Sequence, residues 1–283
     1  MKEYYIESKH GKINILEGDD CKECKGILLH LHGLGSNFQS DYVSFDNIKI
    51  KNKFFNGHQY KSFGFEYHGH GKSEGRQNTI YDFNDLVIDL ENVINMITNI
   101  YPKLKIFIIS KSMGSAVAIK YIALRIHNIT GLILISPMCG INDSTKPHYC
   151  LESILLYTSH IFPLLPYNTN VNIQQLSTNN KEYLETLTDN TVYPLCTLRE
   201  IINISKIIPK IAYLINCPIL LICGDSDIII DLDSVNSFYN NIVNKKNLII
   251  LKKRGHELLI PINYYDKVPE NILTDIVLWC NAQ

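Results

Sequence analysis

Residues 107–119 read FIISKSMGSAVAI, a short apolar run that reaches Ser112 among small residues and continues into small and branched side chains. A strand that turns sharply into a helix at a serine presents the hydroxyl as a nucleophile, and so tight a turn needs small neighbours. The core here is Ser-x-Ser-x-Gly, with Ser110 in place of the first glycine of the usual Gly-x-Ser-x-Gly pattern, and Ser110 is small enough. Met113 would open the helix, where its backbone N–H is free to donate to an oxyanion. A serine at this place could also merely cap a helix over 113–127, so the match does not decide by itself.

Two further segments repeat the pattern of an apolar strand that ends at a polar, chemically competent residue. PILLICGDSDI (218–228) carries Asp227 just past Gly224, and LIILKKRGHEL (248–258) carries His256 just past Gly255. Serine, acid and histidine then follow in the order Ser112, Asp227, His256, each beyond a strand end. A histidine can take the proton of the serine hydroxyl, and the carboxylate can hold the ring in the needed tautomer. Asp225, Asp231 and Asp233 compete with Asp227 for that role. Asp231 and Asp233 sit where a helix begins, which suits capping. Lys111, beside the serine, is expected to be a cap or a solvent contact, not a base.

An anion-stabilising turn is the remaining requirement, and ILLHLHGLG (27–35) supplies one after another buried-type strand. In His32-Gly33-Leu34-Gly35 the backbone N–H of Leu34 can point at the same oxygen as that of Met113.

The motifs HGLG (32–35), FEYHGHGKSEG (65–75), SKSMGS (110–115), ISP (135–137), CGDSD (223–227) and GHELL (255–259) together resemble the α/β-hydrolases of the monoacylglycerol lipase, lysophospholipase and carboxylesterase branch. GHGKSEG is the most specific of them. The sequence departs from that branch at Ser110, at Lys111 where histidine is common, and at Glu66 where aspartate is usual. The resemblance implies an α/β fold of the α/β-hydrolase type, a mostly parallel sheet with helices on both faces and a helical cap inserted after the sixth strand. It also implies a serine hydrolase acting on carboxylic esters, with monoacylglycerols or lysophospholipids as substrates. Short-chain esters or thioesters are the alternative, and so is a non-catalytic binding protein on the same fold.

The elements that must position these residues follow from patterning. A hairpin is expected over 4–8 and 12–18, then strands over 26–32, 60–66, 105–109, 132–135, 219–224 and 247–251. Helices are expected near 46–55 and 269–281 and over 79–100, 113–127 and 231–241; in 79–100 the residues Phe83, Val87, Leu90, Val93, Ile94 and Ile97 recur at helical spacing. Alternation of strands and helices predicts a parallel sheet. The pattern breaks between Ser136-Pro137 and Cys217-Pro218, which divides the chain into a core (1–138 and 217–283) and a cap (139–216). Within the cap, 151–165 is too apolar for a solvated surface, and Leu155, Phe162 and Leu165 are candidates to line an acyl tunnel or to meet a membrane surface transiently.

Composition narrows the partners. With 283 residues and a net charge of −1 the chain offers no field that would gather a polyanion, so nucleic acid is not expected. No signal peptide or run of ~20 apolar residues is seen, which points to a cytoplasmic protein. Of the eight cysteines, Cys217, Cys223 and Cys280 fall in core elements and read as reduced packing thiols, and Cys21-x-x-Cys24 lacks the companions of a zinc or redox site. No metal or organic cofactor is expected. Gly69-His70-Gly71-Lys72-Ser73 imitates a phosphate-binding loop but has Glu66 where the leading glycine belongs. The pairs His30/His32 and His68/His70 could collect a metal, though no carboxylate pattern accompanies them.

Overall fold

The computed structural model describes residues 2–38, 54–143, 145–146, 149–169, 192–260, 266 and 268–283. Eight strands form one sheet: β1 (Lys2–Ser8), β2 (Gly11–Glu17), β3 (Gly26–Leu31), β4 (Tyr60–Phe65), β5 (Lys105–Lys111), β6 (Ile129–Ile135), β9 (Ile219–Gly224) and β10 (Lys246–Leu251). A separate antiparallel pair, β7 (Pro166–Asn168) and β8 (Val192–Pro194), lies between β6 and β9 in the chain. The order across the main sheet is β1-β2-β4-β3-β5-β6-β9-β10. β1 and β2 pair antiparallel, β2 meets β4 antiparallel, and every later pairing is parallel.

Strand residues alternate strictly between two cores, which is why the central strands read as unbroken apolar runs. Ile106, Ile108, Leu132, Leu134, Ile219 and Leu221 pack on one face, and Phe107, Ile109, Ile133, Ile135, Leu220 and Ile222 on the other. The first face is covered by α1 (Phe83–Ile100), α2 (Met113–Leu124) and α5 (Leu232–Asn241), and the second by α6 (Val268–Asn281) with Phe55 and Phe38. Each fully buried side chain of this kind contributes about 1.5–3 kcal/mol.

Element ends differ from sequence expectation where a cap decides them. α1 starts at Phe83, not 79, because the Asp82 carboxylate accepts the Asn84 N–H at 2.8 Å. α2 stops at Leu124, with Arg125 already extended, so 125–127 are not helical. The helix expected over 46–55 falls almost wholly outside the described residues. Cys21 and Cys24 form a disulfide, so the reading of reduced packing thiols does not extend to that pair, whereas Cys139, Cys196, Cys217, Cys223 and Cys280 are free and buried.

Between β6 and β9 the chain builds α3 (Tyr149–Ile161), the β7–β8 pair, α4 (Leu195–Ile207) and a 3-10 helix (Ile208–Leu214). The small sheet had no signature in the sequence, since three-residue strands carry too little periodicity. α4 is tied to the start of α1: Thr197 Oγ1 accepts from the Ile80 N–H at 2.8 Å and donates to the Asn78 carbonyl at 2.9 Å, and Glu200 accepts the Phe83 N–H at 3.0 Å. Among the described residues, no helix is long and apolar enough to cross a membrane.

Candidate active site

β3 neighbours β4 on one side and β5 on the other, so the strand order reverses there, and ligands of open α/β sheets gather beyond the carboxyl ends of strands at such a point. The HGLG turn follows β3 and Ser112 follows β5. Leu31 stands opposite Ser110 in the register, which brings both turns to one level.

Ser112 adopts φ 50° and ψ −119°, a conformation that costs a non-glycine residue on the order of 1–3 kcal/mol. It occupies the N-cap position of α2, yet its side chain makes no capping hydrogen bond. The turn is held by backbone bonds from the Ser112 N–H to the Ile135 carbonyl (3.1 Å) and from the Met138 N–H to the Ser112 carbonyl (3.2 Å). Gly114 explains why a small residue must follow: a Cβ there would sit 2.7 Å from the His32 carbonyl oxygen and 2.8 Å from that of Leu31. That close approach sets the first turn of α2 against the HGLG turn. Among the described residues, neither the Leu34 nor the Met113 N–H donates to a protein acceptor.

Two histidines hold the HGLG turn. The His32 ring lies 2.8 Å from the Gly33 carbonyl through Nδ1 and 3.2 Å from the Tyr67 N–H through Nε2, which assigns the proton to Nδ1. His70 meets the His68 carbonyl through Nδ1 (3.0 Å) and the Gly35 N–H through Nε2 (3.4 Å). Burial, aided by the nearby His32 ring, pulls the His70 pKa down to about 3, so it stays uncharged. His68 bonds Asp89 at 3.1 Å, and His30 packs against Phe38 and Phe55. The paired histidines thus serve separate contacts, and among the described residues no group of three or more His, Cys, Asp or Glu is placed to hold a metal. The GHGKSEG loop wraps the Glu66 carboxylate, which accepts the Lys72 N–H (2.7 Å) and Asn14 Nδ2 (3.2 Å), while the Lys72 ammonium pairs with Glu3. Gly71 is the glycine that turns against the Glu66 side chain, where a Cβ would stand 2.3 Å from both carboxylate oxygens.

Beyond β9 and β10 two loops interlock. The Ser226 N–H donates to the Arg254 carbonyl at 2.9 Å and Asp225 accepts the Lys253 N–H at 2.7 Å. A Cβ on Gly224 would lie 2.1 Å from the Arg254 carbonyl oxygen. This contact brings Asp227 to His256, with Oδ2 2.8 Å from Nδ1 and both side chains 5% exposed. The other carboxylate oxygen accepts the N–H groups of Ile229 (2.8 Å) and Ile230 (3.0 Å). Asp231 instead caps α5 through the N–H groups of Asp233 and Ser234. Burial works against the Asp227 charge, but the His256 ring and the two N–H donors outweigh it and hold its pKa below the ordinary value. Burial likewise opposes charge on His256, and the Asp227 carboxylate overcomes it, raising the ring pKa above its ordinary value.

Three features had no signal in the sequence. Ser136, with φ 44°, donates its hydroxyl to the His256 carbonyl at 2.7 Å. Tyr193 of β8 sets its hydroxyl against Gly35, where a Cβ would stand 2.4 Å from it, so the segment between β6 and β9 reaches over the HGLG turn. Lys111, expected at a cap or in solvent, is instead buried in an ion pair with Glu257 at 2.6 Å. Of the candidate cap residues, Leu155 is half-buried, whereas Phe162 and Leu165 are exposed.

Comparison with known proteins places this geometry in context. The chain is 36% identical to the monoglyceride lipase of Rattus norvegicus over 83 residues, which is 29% of this chain and 27% of that protein. It thus spans about a quarter of the length of the mammalian relatives it matches. The crystal structure of the Paleococcus ferrophilus monoacylglycerol lipase superposes with a TM-score of 0.78 at 20% identity, over 99% of this chain and 98% of that one. A soluble variant of the Saccharomyces cerevisiae monoglyceride lipase, in complex with a substrate analog, gives 0.80 at 18% identity over 98% and 93%. The fold is therefore that of the α/β-hydrolases. Residues 22–261 match the Hydrolase_4 family model, described as serine aminopeptidase, S33, and the chain belongs to that family.

Proposed function

We propose that the protein is a serine hydrolase of carboxylic esters, with monoacylglycerols or lysophospholipids as its substrate class. The observation that carries this reading is the buried His256–Asp227 pair, held at 2.8 Å on loops that share one sheet edge with the strained Ser112 turn. Ser112 Oγ attacks the ester carbonyl as His256 Nε2 takes its proton, and Asp227 holds the Nδ1–H tautomer and stabilises the imidazolium. The developing oxyanion lies between the N–H groups of Leu34 and Met113, each of which has no acceptor among the described residues. His256 returns the proton to the departing alcohol, and water activated in the same way releases the acid from Ser112.

The lipid part of the reading draws support from the relatives named above and from α3. Ile154, Tyr157, Ile161, Phe162 and Leu165 are each at least half exposed along one stretch, an apolar surface suited to an amphiphile or to transient contact with a membrane. In this reading residues 139–216 form the cap, and Leu155, Phe162 and Leu165 meet the acyl chain. The test is hydrolysis of p-nitrophenyl esters from two to sixteen carbons beside a monoacylglycerol and a lysolipid. A long-chain optimum supports the lipase reading; a steep fall beyond four carbons moves the assignment to a short-chain esterase.

A peptide substrate is the second reading, favoured by the family description of a serine aminopeptidase. Release of p-nitroaniline from aminoacyl anilides faster than any ester is cleaved would establish it.

A further inference from the structure

Lys111 and Glu257 flank the two groups that matter most for the proposed chemistry: one precedes Ser112 and the other follows His256 in the chain. In the fold they meet, with Lys111 Nζ 2.6 Å from Glu257 Oε2 and side chains only 6% and 7% exposed. Burying two opposite charges is a poor route to stability, because the desolvation of both ions offsets most of their attraction and an apolar pair of the same size would serve packing as well. The location of the pair is what needs an explanation.

Among the described residues, the charges that face the His256 ring come from three elements. Asp227, on the loop after β9, bonds Nδ1 directly. Glu257 is the next residue of the ring's own loop, and Lys111 is the last residue of β5. Arg254, two residues before His256, turns its guanidinium to Asp266 at 2.7 Å, and burial holds the Cys223 thiol neutral with a pKa pushed up to about 12. After burial and Asp227, Glu257 is the next influence that favours the charged ring, and Lys111 opposes it.

We infer that Lys111 and Glu257 are positioning residues: a buried ion pair that clasps the strand before Ser112 to the loop bearing His256 and balances the charge around that ring. The inference rests on the serine-hydrolase reading for its catalytic meaning. Within the pair the Glu257 carboxylate favours charge on the ring and the Lys111 ammonium opposes it, so the two influences offset.

The test is the titration midpoint of the His256 imidazole, followed by NMR on histidine-labelled protein and assigned by the signal lost in His256→Asn. Glu257→Gln removes the carboxylate of the pair and is expected to lower the midpoint by roughly 0.5–1 pH unit. Lys111→Met leaves the carboxylate and is expected to raise it. The double variant Lys111→Met/Glu257→Gln removes both charges and returns the midpoint most of the way to wild type, and it retains a fold if a single variant fails to. The acid limb of kcat/KM on a soluble ester moves with the midpoint. Midpoints that stay together in the single variants, or a double variant displaced as far as either single, overturn the inference. The ring titrates whether or not an ester is cleaved, so a wild-type chain inert to fluorophosphonate counts against the hydrolase reading alone.

Discussion

The hydroxyl of Ser136 donates to the backbone carbonyl of His256 at 2.7 Å, joining the end of β6 to the loop after β10 across β9. His256 is thereby fixed at its backbone by Ser136 and at its ring by Asp227. A ring held from both ends loses little freedom when it takes up a proton, which is what a general base requires.

Ser112→Ala removes the proposed nucleophile without a packing change, since the side chain makes no capping bond. Ester turnover is expected to fall by about 10⁴-fold or more, and fluorophosphonate labelling to vanish. The melting temperature should stay level or rise, because alanine does not leave the φ 50° strain worse than serine does. Residual activity above a few percent on purified protein would remove Ser112 from the mechanism.

Asp227→Asn keeps the size of the side chain but presents an amide where the ring needs an acceptor. The imidazole is then turned to the wrong tautomer, and kcat is expected to drop by about 10⁴-fold with KM little changed. Asp225→Asn, whose remaining amide oxygen can still accept from the Lys253 N–H and the Ser226 hydroxyl, serves as the control and should retain most activity.

Because the Asp227 carboxylate outweighs burial and lifts the His256 pKa above about 6.5, the proposed base is neutral only above that value. Activity on a soluble ester should therefore fall as pH drops, with a midpoint above 6.5. The stabilising effect of the same shift runs the other way: it is fully present below the unfolded pKa and is lost as pH rises through the folded one. An acid-limb midpoint well below 6 would contradict this arrangement.

Gly224→Ala places a methyl 2.1 Å from the Arg254 carbonyl oxygen and 2.6 Å from that of Gly255. The loop carrying His256 must move, at a cost on the order of 1–3 kcal/mol. Thermal unfolding and turnover should fall together, and a variant with wild-type values for both would show that the interlock is dispensable.

Replacing Ile161 and Phe162 by aspartate breaks the exposed apolar surface at the end of α3 without touching the core, as the two are 55% and 60% exposed. Hydrolysis of a dispersed monoacylglycerol and sedimentation with lipid vesicles should decrease several-fold, while a water-soluble acetate ester is cleaved as before. Equal loss on both substrates would point to misfolding of the segment instead.

What the sequence by itself determined is whatever depends on local order. Apolar runs such as ILLHL, FIIS and ILLIC specify strands buried on both faces, and the glycines at 33, 35, 114 and 224 mark turns where backbone approaches backbone. Ser112, Asp227 and His256 stand out as candidates in the sequence because each lies just beyond such a strand. Helix ends were less legible, since Asp82 and not the apolar period decides where α1 begins. Only the tertiary structure decided that Asp227 Oδ2 reaches His256, that Lys111 turns inward to Glu257, that Ser136 holds the His256 backbone and that Tyr193 lies over the HGLG turn. These contacts join residues far apart in the chain, and nothing local distinguishes a buried lysine from a solvated one. Their pairing is set by how parallel strands stack their carboxyl ends into one edge, a long-range consequence of register that no short window of sequence contains.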